Sequence, residues 1–113
     1  MKAPSSNLSI IGKKFEADFG EKAFTLFYEN PKKLILTEIR GPKVGRVQNL
    51  TVSIVELRSN LFMVNWQEKN KLTVTDIEDY ENGVVYANMT TPNDNFVSAK
   101  GTLKEIKAIS KEK

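Results

Sequence analysis

The amino-acid sequence predicts an all-β protein, a single antiparallel up-and-down barrel of about eight strands. Segments in which apolar and polar residues alternate recur about every ten residues, and short turns rich in polar residues, Gly or Pro separate them. No segment before the C-terminal tail shows the apolar period of an amphipathic helix. Successive strands need only hairpin connections, and the long crossover of a Greek key is absent.

The first four predicted strands lie between residues 15 and 57. Apolar and polar residues alternate from 15 to 19 and from 24 to 28, which is the period of a strand with one buried face. Residues 34 to 39 are rich in Leu and Ile and stop at Gly41-Pro42, a pair typical of turns. Residues 50 to 57 alternate with apolar side chains on both faces.

The other four predicted strands lie between residues 61 and 106. Residues 61 to 67 are strongly apolar, and residues 72 to 77 are rich in Thr and Val. Residues 84 to 90 follow Asn82-Gly83, the strongest hairpin signal in the chain. The last strand, which begins at Phe96, contains Gly101, and this glycine predicts a β-bulge.

A chain of 113 residues suffices for one domain with one core. We divide it into an N-terminal segment, residues 1–11, a β-barrel domain, residues 12–109, and a basic tail, residues 110–113. Residues 6–11 and the C-terminal tail could each form a short helical turn.

The composition excludes several classes of chemistry. The chain has no Cys and no His, which excludes disulfides, thiolate nucleophiles, Cys/His zinc sites and Ser-His or Cys-His catalytic pairs. The acidic run from Asp76 to Glu81 lacks the ligand spacing of a calcium loop, and no Walker motif is present. We therefore expect no metal and no cofactor.

Charge and hydropathy indicate a protein that binds neither nucleic acid nor a membrane. The net charge of +3 comes from lysines scattered along the chain rather than clustered in one basic segment. The longest apolar run, Leu61 to Val64, is far too short to cross a bilayer. Residues 1–12 contain no apolar signal-peptide region, which favours a cytoplasmic location and leaves open a leader removed before residue 1. A homodimer is also left open.

The strand from residue 61 to residue 67 carries the main candidate for a binding site. Phe62, Val64, Trp66 and Glu68 share its more apolar face, which we expect to point into the barrel. An inward Glu68 would place a carboxylate beside an aromatic wall, where it needs a partner or a proton. The alternative is a solvated Glu68 in the turn at residues 68–71.

Two other strands carry polar residues that could face the interior. Tyr86 and Asn88 lie on the polar face of residues 84–90, and a few polar groups among aromatics suit a small-molecule site. The opposite orientation buries Ala87 and its apolar neighbours, and the sequence leaves both orientations open. Glu38 and Arg40 share a face of the third strand, which suggests a surface ion pair.

Three segments together resemble the small calycin-type barrels. They are Val52–Leu57, Leu61–Glu68 with its Trp-x-Glu, and Thr73–Ile77 with its Thr-Val-Thr-Asp. Within that group, residues 12 to 106 are similar to the MoaF-like (molybdenum-cofactor biosynthesis protein F-like) domains and, more remotely, to bacterial phenolic acid decarboxylases. The resemblance implies a lipocalin-like barrel that holds a small apolar ligand.

The resemblance to the decarboxylases also implies which catalytic groups are missing. Their catalytic glutamate is matched by Glu68. The positions of their two tyrosines fall on Ala17 and Phe19, and that of their arginine falls near Thr37. The groups that such a reaction needs to clamp a carboxylate are therefore absent, and we expect no decarboxylation of hydroxycinnamic acids.

We expect the barrel to bind a small, partly aromatic or apolar molecule without converting it. The expected ligand-binding residues are Phe15, Tyr28, Phe62, Trp66, Glu68, Tyr86 and Asn88. One alternative is an enzyme that uses Glu68 as general acid/base with Tyr86 or Tyr28 as its partner. Another is a protein-interaction module whose barrel is filled by its own side chains. We also expect replacement of Glu68 by Gln to be neutral or stabilising near neutral pH.

Overall fold

The computed structural model describes residues 8–107, which form nine β-strands and no helix. The strands are β1 (Lys14–Asp18), β2 (Ala23–Asn30), β3 (Lys33–Arg40), β4 (Val47–Thr51), β5 (Ser53–Arg58), β6 (Leu61–Gln67), β7 (Thr73–Asp79), β8 (Val84–Thr90) and β9 (Phe96–Glu105).

All nine strands belong to one antiparallel sheet in the order β4-β3-β2-β1-β9-β8-β7-β6-β5. The first and last strands lie side by side, because β1 pairs with both β2 and β9. The edge strands β4 and β5 are consecutive in the chain, and β4 also contacts β6. The sheet therefore curls into a small lipocalin-like barrel, without a hydrogen-bonded ladder between β4 and β6.

The all-β, up-and-down architecture is confirmed, but the predicted fourth strand is divided into β4 and β5. The division falls at Val52, whose side chain is buried and whose backbone N–H donates to the carbonyl of Lys32. Before this residue the chain pairs with β3, and after it the chain pairs with β6. One continuous run of residues thus supplies both edges of the sheet.

Large side chains fill one end of the barrel, which we call the closed end. Tyr28, Leu34 and Phe62 have no exposed surface there. The ring of Tyr80 packs against those of Phe15 and Phe62, with centroid distances of 4.6 Å and 5.8 Å. Burial of these rings contributes both hydrophobic stabilisation and aromatic contacts.

The segment before β1 covers the closed end. Ile10 is buried, and the backbone N–H of Gly12 donates to the carbonyl of Tyr28 at 2.7 Å. The Ile11 N–H donates to the Leu8 carbonyl, so the described part of the expected helical turn is a single hydrogen-bonded turn rather than a helix. The helical turn expected in the tail falls largely outside the described residues.

Arg40 does not pair with Glu38, and this expectation from the sequence is wrong. The register between β2 and β3 shifts, so that Ala23 lies opposite Arg40 while Phe24 lies opposite Glu38. Arg40 consequently lies outside, where its guanidinium contacts the Asp18 carboxylate at 2.9 Å and lowers the pKa of that group. Glu38 points into the barrel instead.

Gly101 does not form the expected bulge. It pairs regularly with Val85 of β8, and the ladder between β8 and β9 shows no register shift. The glycine is required on the side of β9 that faces β1. A Cβ at this position would be 2.5 Å from the carbonyl oxygen of Asp18 and 2.8 Å from the ring of Phe19. Gly101 thus permits the close approach of β1.

We predict that Gly101→Ala lowers the free energy of unfolding by about 1–3 kcal/mol, because the backbone carbonyl of Asp18 must move to accept the added methyl group. Denaturant unfolding measures the change. The matched control is Lys104→Ala, an exposed position on the same strand, which should alter stability by less than about 0.5 kcal/mol. Equal effects of the two substitutions would contradict the close approach.

Candidate functional site

The barrel contains a cavity of about 690 Å³ that extends from its middle to the end opposite the closed end, which we call the mouth. Ala17, Ala87 and Ala99 line it from the adjacent strands β1, β8 and β9 and leave its volume unfilled. The larger apolar residues of its wall include Phe24, Leu26, Leu36, Trp66, Val74 and Met89.

Glu68 lies at the mouth, directly after β6, and is only 8 % exposed. Its two oxygens accept different donors: Gln48 Nε2 lies 3.1 Å from Oε1, and Trp66 Nε1 lies 3.2 Å from Oε2. Gln48 belongs to β4, which has no ladder with β6. The side-chain bond from Gln48 to Glu68 therefore joins β4 to the end of β6, two strands that share no ladder.

Glu38 is a second carboxylate on the wall of the same cavity and is 7 % exposed. The loop between β3 and β4 folds over it, and the backbone N–H of Lys43 donates to its Oε2 at 3.0 Å. Gly41 in this loop has a φ of +133°, and a Cβ there would overlap the Glu38 carboxylate. The loop backbone thus holds Glu38 at the wall without an ion pair.

The floor of the cavity is an acidic pair on β7. Asp76 lines the cavity, and Glu78 lies below it with no exposed surface. The Tyr28 hydroxyl donates to Glu78 from 2.9 Å, and the Tyr80 hydroxyl donates to Glu78 Oε1 from 2.7 Å. The Asp76 side chain forms a hydrogen bond with Glu78 as well.

Burial raises the pKa of both carboxyl groups, because it disfavours the charged form. The charge of Glu78 raises the pKa of Asp76 further, whereas hydrogen bonds from Asp76, Tyr80 and Tyr28 oppose the effect of burial on Glu78. The hydrogen bond between the two side chains raises the pKa of Asp76 and lowers that of Glu78, so it favours a proton on Asp76. Burial also raises the pKa of both tyrosines, so they remain donors.

Charged residues surround the mouth. The side chains of Lys22, Lys43 and Arg46 border it and are exposed, as is that of Glu21. The carboxyl groups of the cavity lie deeper and are buried. The mouth is thus mainly cationic at its rim and acidic inside.

The structure brings only two of the seven expected ligand-binding residues to the cavity, namely Trp66 and Glu68. Phe15, Tyr28 and Phe62 are buried but lie at the closed end, behind the acidic floor. Phe15 borders a separate, smaller cavity of about 240 Å³ at that end. These three side chains pack in the core beneath the acidic pair and do not line the cavity.

Tyr86 and Asn88 lie on the outer face of β8, so of the two orientations that the sequence left open, the structure has the one that does not bring them to the site. Tyr86 is 45 % exposed beside Lys100, whose Nζ lies 5.7 Å from the ring centroid. Asn88 accepts a hydrogen bond from the exposed Ser98 hydroxyl at 2.8 Å. The apolar face with Ala87 is the buried one, because it carries the side chains that lose most from contact with water.

Sequence reasoning missed Asp76, Glu78 and Glu38 as interior residues. Asp76 and Glu78 lie in the acidic run from Asp76 to Glu81, where the sequence offers no signal that separates buried acids from exposed ones. Glu38 shares a strand face with Arg40, which suggests a surface ion pair instead. Within residues 8–107, no group of Asp and Glu side chains is arranged to hold a metal ion. None of these residues forms a helix that could span a membrane.

We predict that Asp76→Asn becomes more stable relative to the unchanged protein as the pH rises above about 4, the ordinary value for Asp. Above that pH the unfolded chain releases the Asp76 proton while the folded chain retains it, so the folded state loses stability. The loss ends where the pH passes the raised pKa of the folded state. The asparagine side chain of the variant does not titrate, so it avoids this loss, and its amide can still donate to Glu78.

Denaturant midpoints of both proteins at a series of pH values test this prediction. Asp94→Asn in the exposed loop between β8 and β9 is the matched control, and its stability difference should not follow the same course. A pH-independent difference for Asp76→Asn would show that Asp76 does not hold a proton in the folded state.

Glu68→Gln should lower the free energy of unfolding by about 1–2 kcal/mol, contrary to the expectation from the sequence. The substituted amide has one acceptor oxygen, so either Gln48 or Trp66 loses its acceptor. Denaturant unfolding measures the change, with the exposed Glu56→Gln on β5 as the control. Stability equal to that of the control would mean that the two bonds contribute nothing.

The MoaF-like family model matches residues 11–104 of this chain. No curated protein matches it. Among solved structures, a crystal structure of a protein from Burkholderia vietnamiensis, provisionally described as a beta-lactamase, is similar with a TM-score of 0.82 and 20 % sequence identity. The similarity covers 94 % of this chain and 100 % of that one, and at this identity it concerns the fold alone. The family match includes strands β1 to β8 and nearly all of β9, and the chain belongs to the MoaF-like family.

Proposed function

We propose that the protein binds a small, partly aromatic or apolar molecule in the interior of its barrel and does not convert it. The observation that carries the proposal is the cavity of about 690 Å³, which lies within the range of small-molecule sites in proteins. Its wall is mainly apolar, and Trp66 gives it an aromatic surface near the mouth. A cytoplasmic location belongs to the same proposal.

The polar groups of the cavity support selective binding. Glu38, Glu68 and Asp76 are separate carboxyl groups in an otherwise apolar interior. Few polar groups within an apolar pocket are the pattern by which proteins fix the orientation of a small ligand. A barrel filled by its own side chains, as in the interaction-module alternative, would leave no such space.

The enzyme alternative lacks its expected partner groups. Tyr86 lies on the outer face of the barrel, and Tyr28 donates to Glu78 below the floor. Both oxygens of Glu68 already accept hydrogen bonds. The cavity wall carries Ala17 and Phe19 at the positions where the decarboxylase resemblance requires phenols. These placements favour binding over catalysis by Glu68.

We predict that para-propylphenol changes the emission of Trp66 in a saturable manner. Trp66 is the single tryptophan of the chain, so excitation restricted to tryptophan reports only on the wall of the cavity. Ala87→Leu should weaken this binding at least about tenfold, because the larger side chain occupies the space that a ligand needs.

The matched control is Tyr86→Leu, the adjacent residue on the outer face, which should leave the affinity unchanged. Equal effects of the two substitutions, or no saturable change in the unchanged protein, would contradict binding in the cavity. Native mass spectrometry of protein taken directly from cells would then identify a co-purifying ligand.

A further inference from the structure

The Asp76 carboxyl group has unused acceptor capacity at the floor of the cavity. Asp76 is 6 % exposed and lines the cavity. Its side chain is hydrogen-bonded to Glu78, and no N–H or O–H within residues 8–107 donates to it. A carboxyl group has two oxygens, so the bond to Glu78 leaves acceptor capacity on a side chain that lines the cavity.

The remaining buried polar groups of the cavity also offer acceptors. Glu38 and Glu68 carry carboxyl groups, whereas Trp66 Nε1–H and one N–H of Gln48 Nε2 are already bonded to Glu68. A buried acceptor without a donor is costly. An occupant that brings its own donors would therefore match this interior better than one that brings acceptors.

We propose, on the basis of the proposed ligand-binding function, that the cavity selects an organic amine with an apolar or aromatic body, whose ammonium group lies against Asp76. The body would extend along Trp66 and the aliphatic wall towards the mouth. An ammonium group has three donors and a positive charge, so it uses this acceptor capacity and forms the stronger, charge-assisted type of hydrogen bond.

Binding of such an amine is coupled to release of a proton. Burial raises the pKa of both acids of the pair, so we expect the pair to hold one proton before binding. A bound ammonium group stabilises the second carboxylate, so the proton of Asp76 passes to solvent while the ammonium keeps its own protons. The charge balances, because one cation enters the site and one proton leaves it.

The groups around Asp76 allow this coupling. Glu78 and Tyr80 lie on its own strand, Tyr28 reaches the pair from β2, and Glu38 and Glu68 lie on the same cavity. The neighbouring strands place non-titratable residues opposite it: Val64 on β6 and Ala87 on β8, followed by Ala99 on β9. The cations Lys22, Lys43 and Arg46 lie at the exposed rim, where solvent screens them.

Three probes with the same phenylbutyl body and different end groups test the proposal: phenylbutylamine, phenylbutanol and phenylbutyrate. Isothermal titration calorimetry at neutral pH gives their affinities, and buffers of different ionisation enthalpy give the number of protons released. We expect the amine to bind at least about tenfold more tightly than the alcohol and the carboxylate, with release of up to one proton.

The Asp76→Asn variant should lose the preference for the amine and the proton release. Glu56→Gln, an exposed carboxylate on β5, should retain both properties. Proton release is measured on the unchanged protein, so the test stands even if Asp76→Asn does not fold.

The inference would be overturned if the amine bound no more tightly than the alcohol, or if it bound more tightly without releasing a proton. In either case, binding of the alcohol would still support the proposed function. Amine selectivity that persists in a folded Asp76→Asn protein would also overturn the inference. The absence of binding by all three probes would count against both proposals.

Discussion

The hydrogen bonds between Tyr28 and Glu78 cross the barrel, and the architecture of the site depends on them. They join β2 to β7, which are separated by three strands in the sheet order. A carboxylate without donors would be costly at this depth, but Glu78 is served by two phenols and the Asp76 carboxyl group. This polar layer separates the aromatic core of the closed end from the cavity. The cavity therefore has a floor that offers a carboxyl group rather than a hydrocarbon surface.

The distribution of side-chain volume along the barrel completes this arrangement. Aromatic residues fill the closed end, whereas Ala17, Ala87 and Ala99 leave the adjacent layer open. A barrel of about eight strands is just wide enough for its own side chains or one small ligand. The choice between these outcomes is therefore set by a few inward positions. Where these positions hold alanine, the protein lacks the stabilisation of a filled interior and retains an open cavity.

The period-two pattern was sufficient to predict an antiparallel barrel and the inward face of β6, because apolar residues dominate one face of most strands. It failed on β7, where the inward positions hold Asp76 and Glu78 while Ile77 lies on the other face. Hydrophobic periodicity cannot place a carboxyl group whose burial depends on a phenol from a distant strand. Tyr28 lies about fifty residues away in the sequence, and no local pattern links it to Glu78. The separation of β4 from β5 at Val52 and the register shift between β2 and β3 near Arg40 likewise depend on which strands pair, and a local pattern does not contain that information.

Glu68 and Asp76 differ in how many of their carboxyl oxygens accept hydrogen bonds from the protein. This difference separates a carboxyl group with a structural role from one that has acceptor capacity to spare. Each oxygen of Glu68 accepts a hydrogen bond from the protein, and the bond from Gln48 joins β4 to the end of β6. Asp76 is bonded to another acid, and its side chain lines the cavity. Replacement of Glu68 by Gln should thus act chiefly on stability, whereas replacement of Asp76 by Asn should act chiefly on pH dependence and binding. The residue that the sequence singled out joins two strands at the mouth, whereas the residue that the sequence did not single out lies on the cavity wall with acceptor capacity that the protein leaves unused.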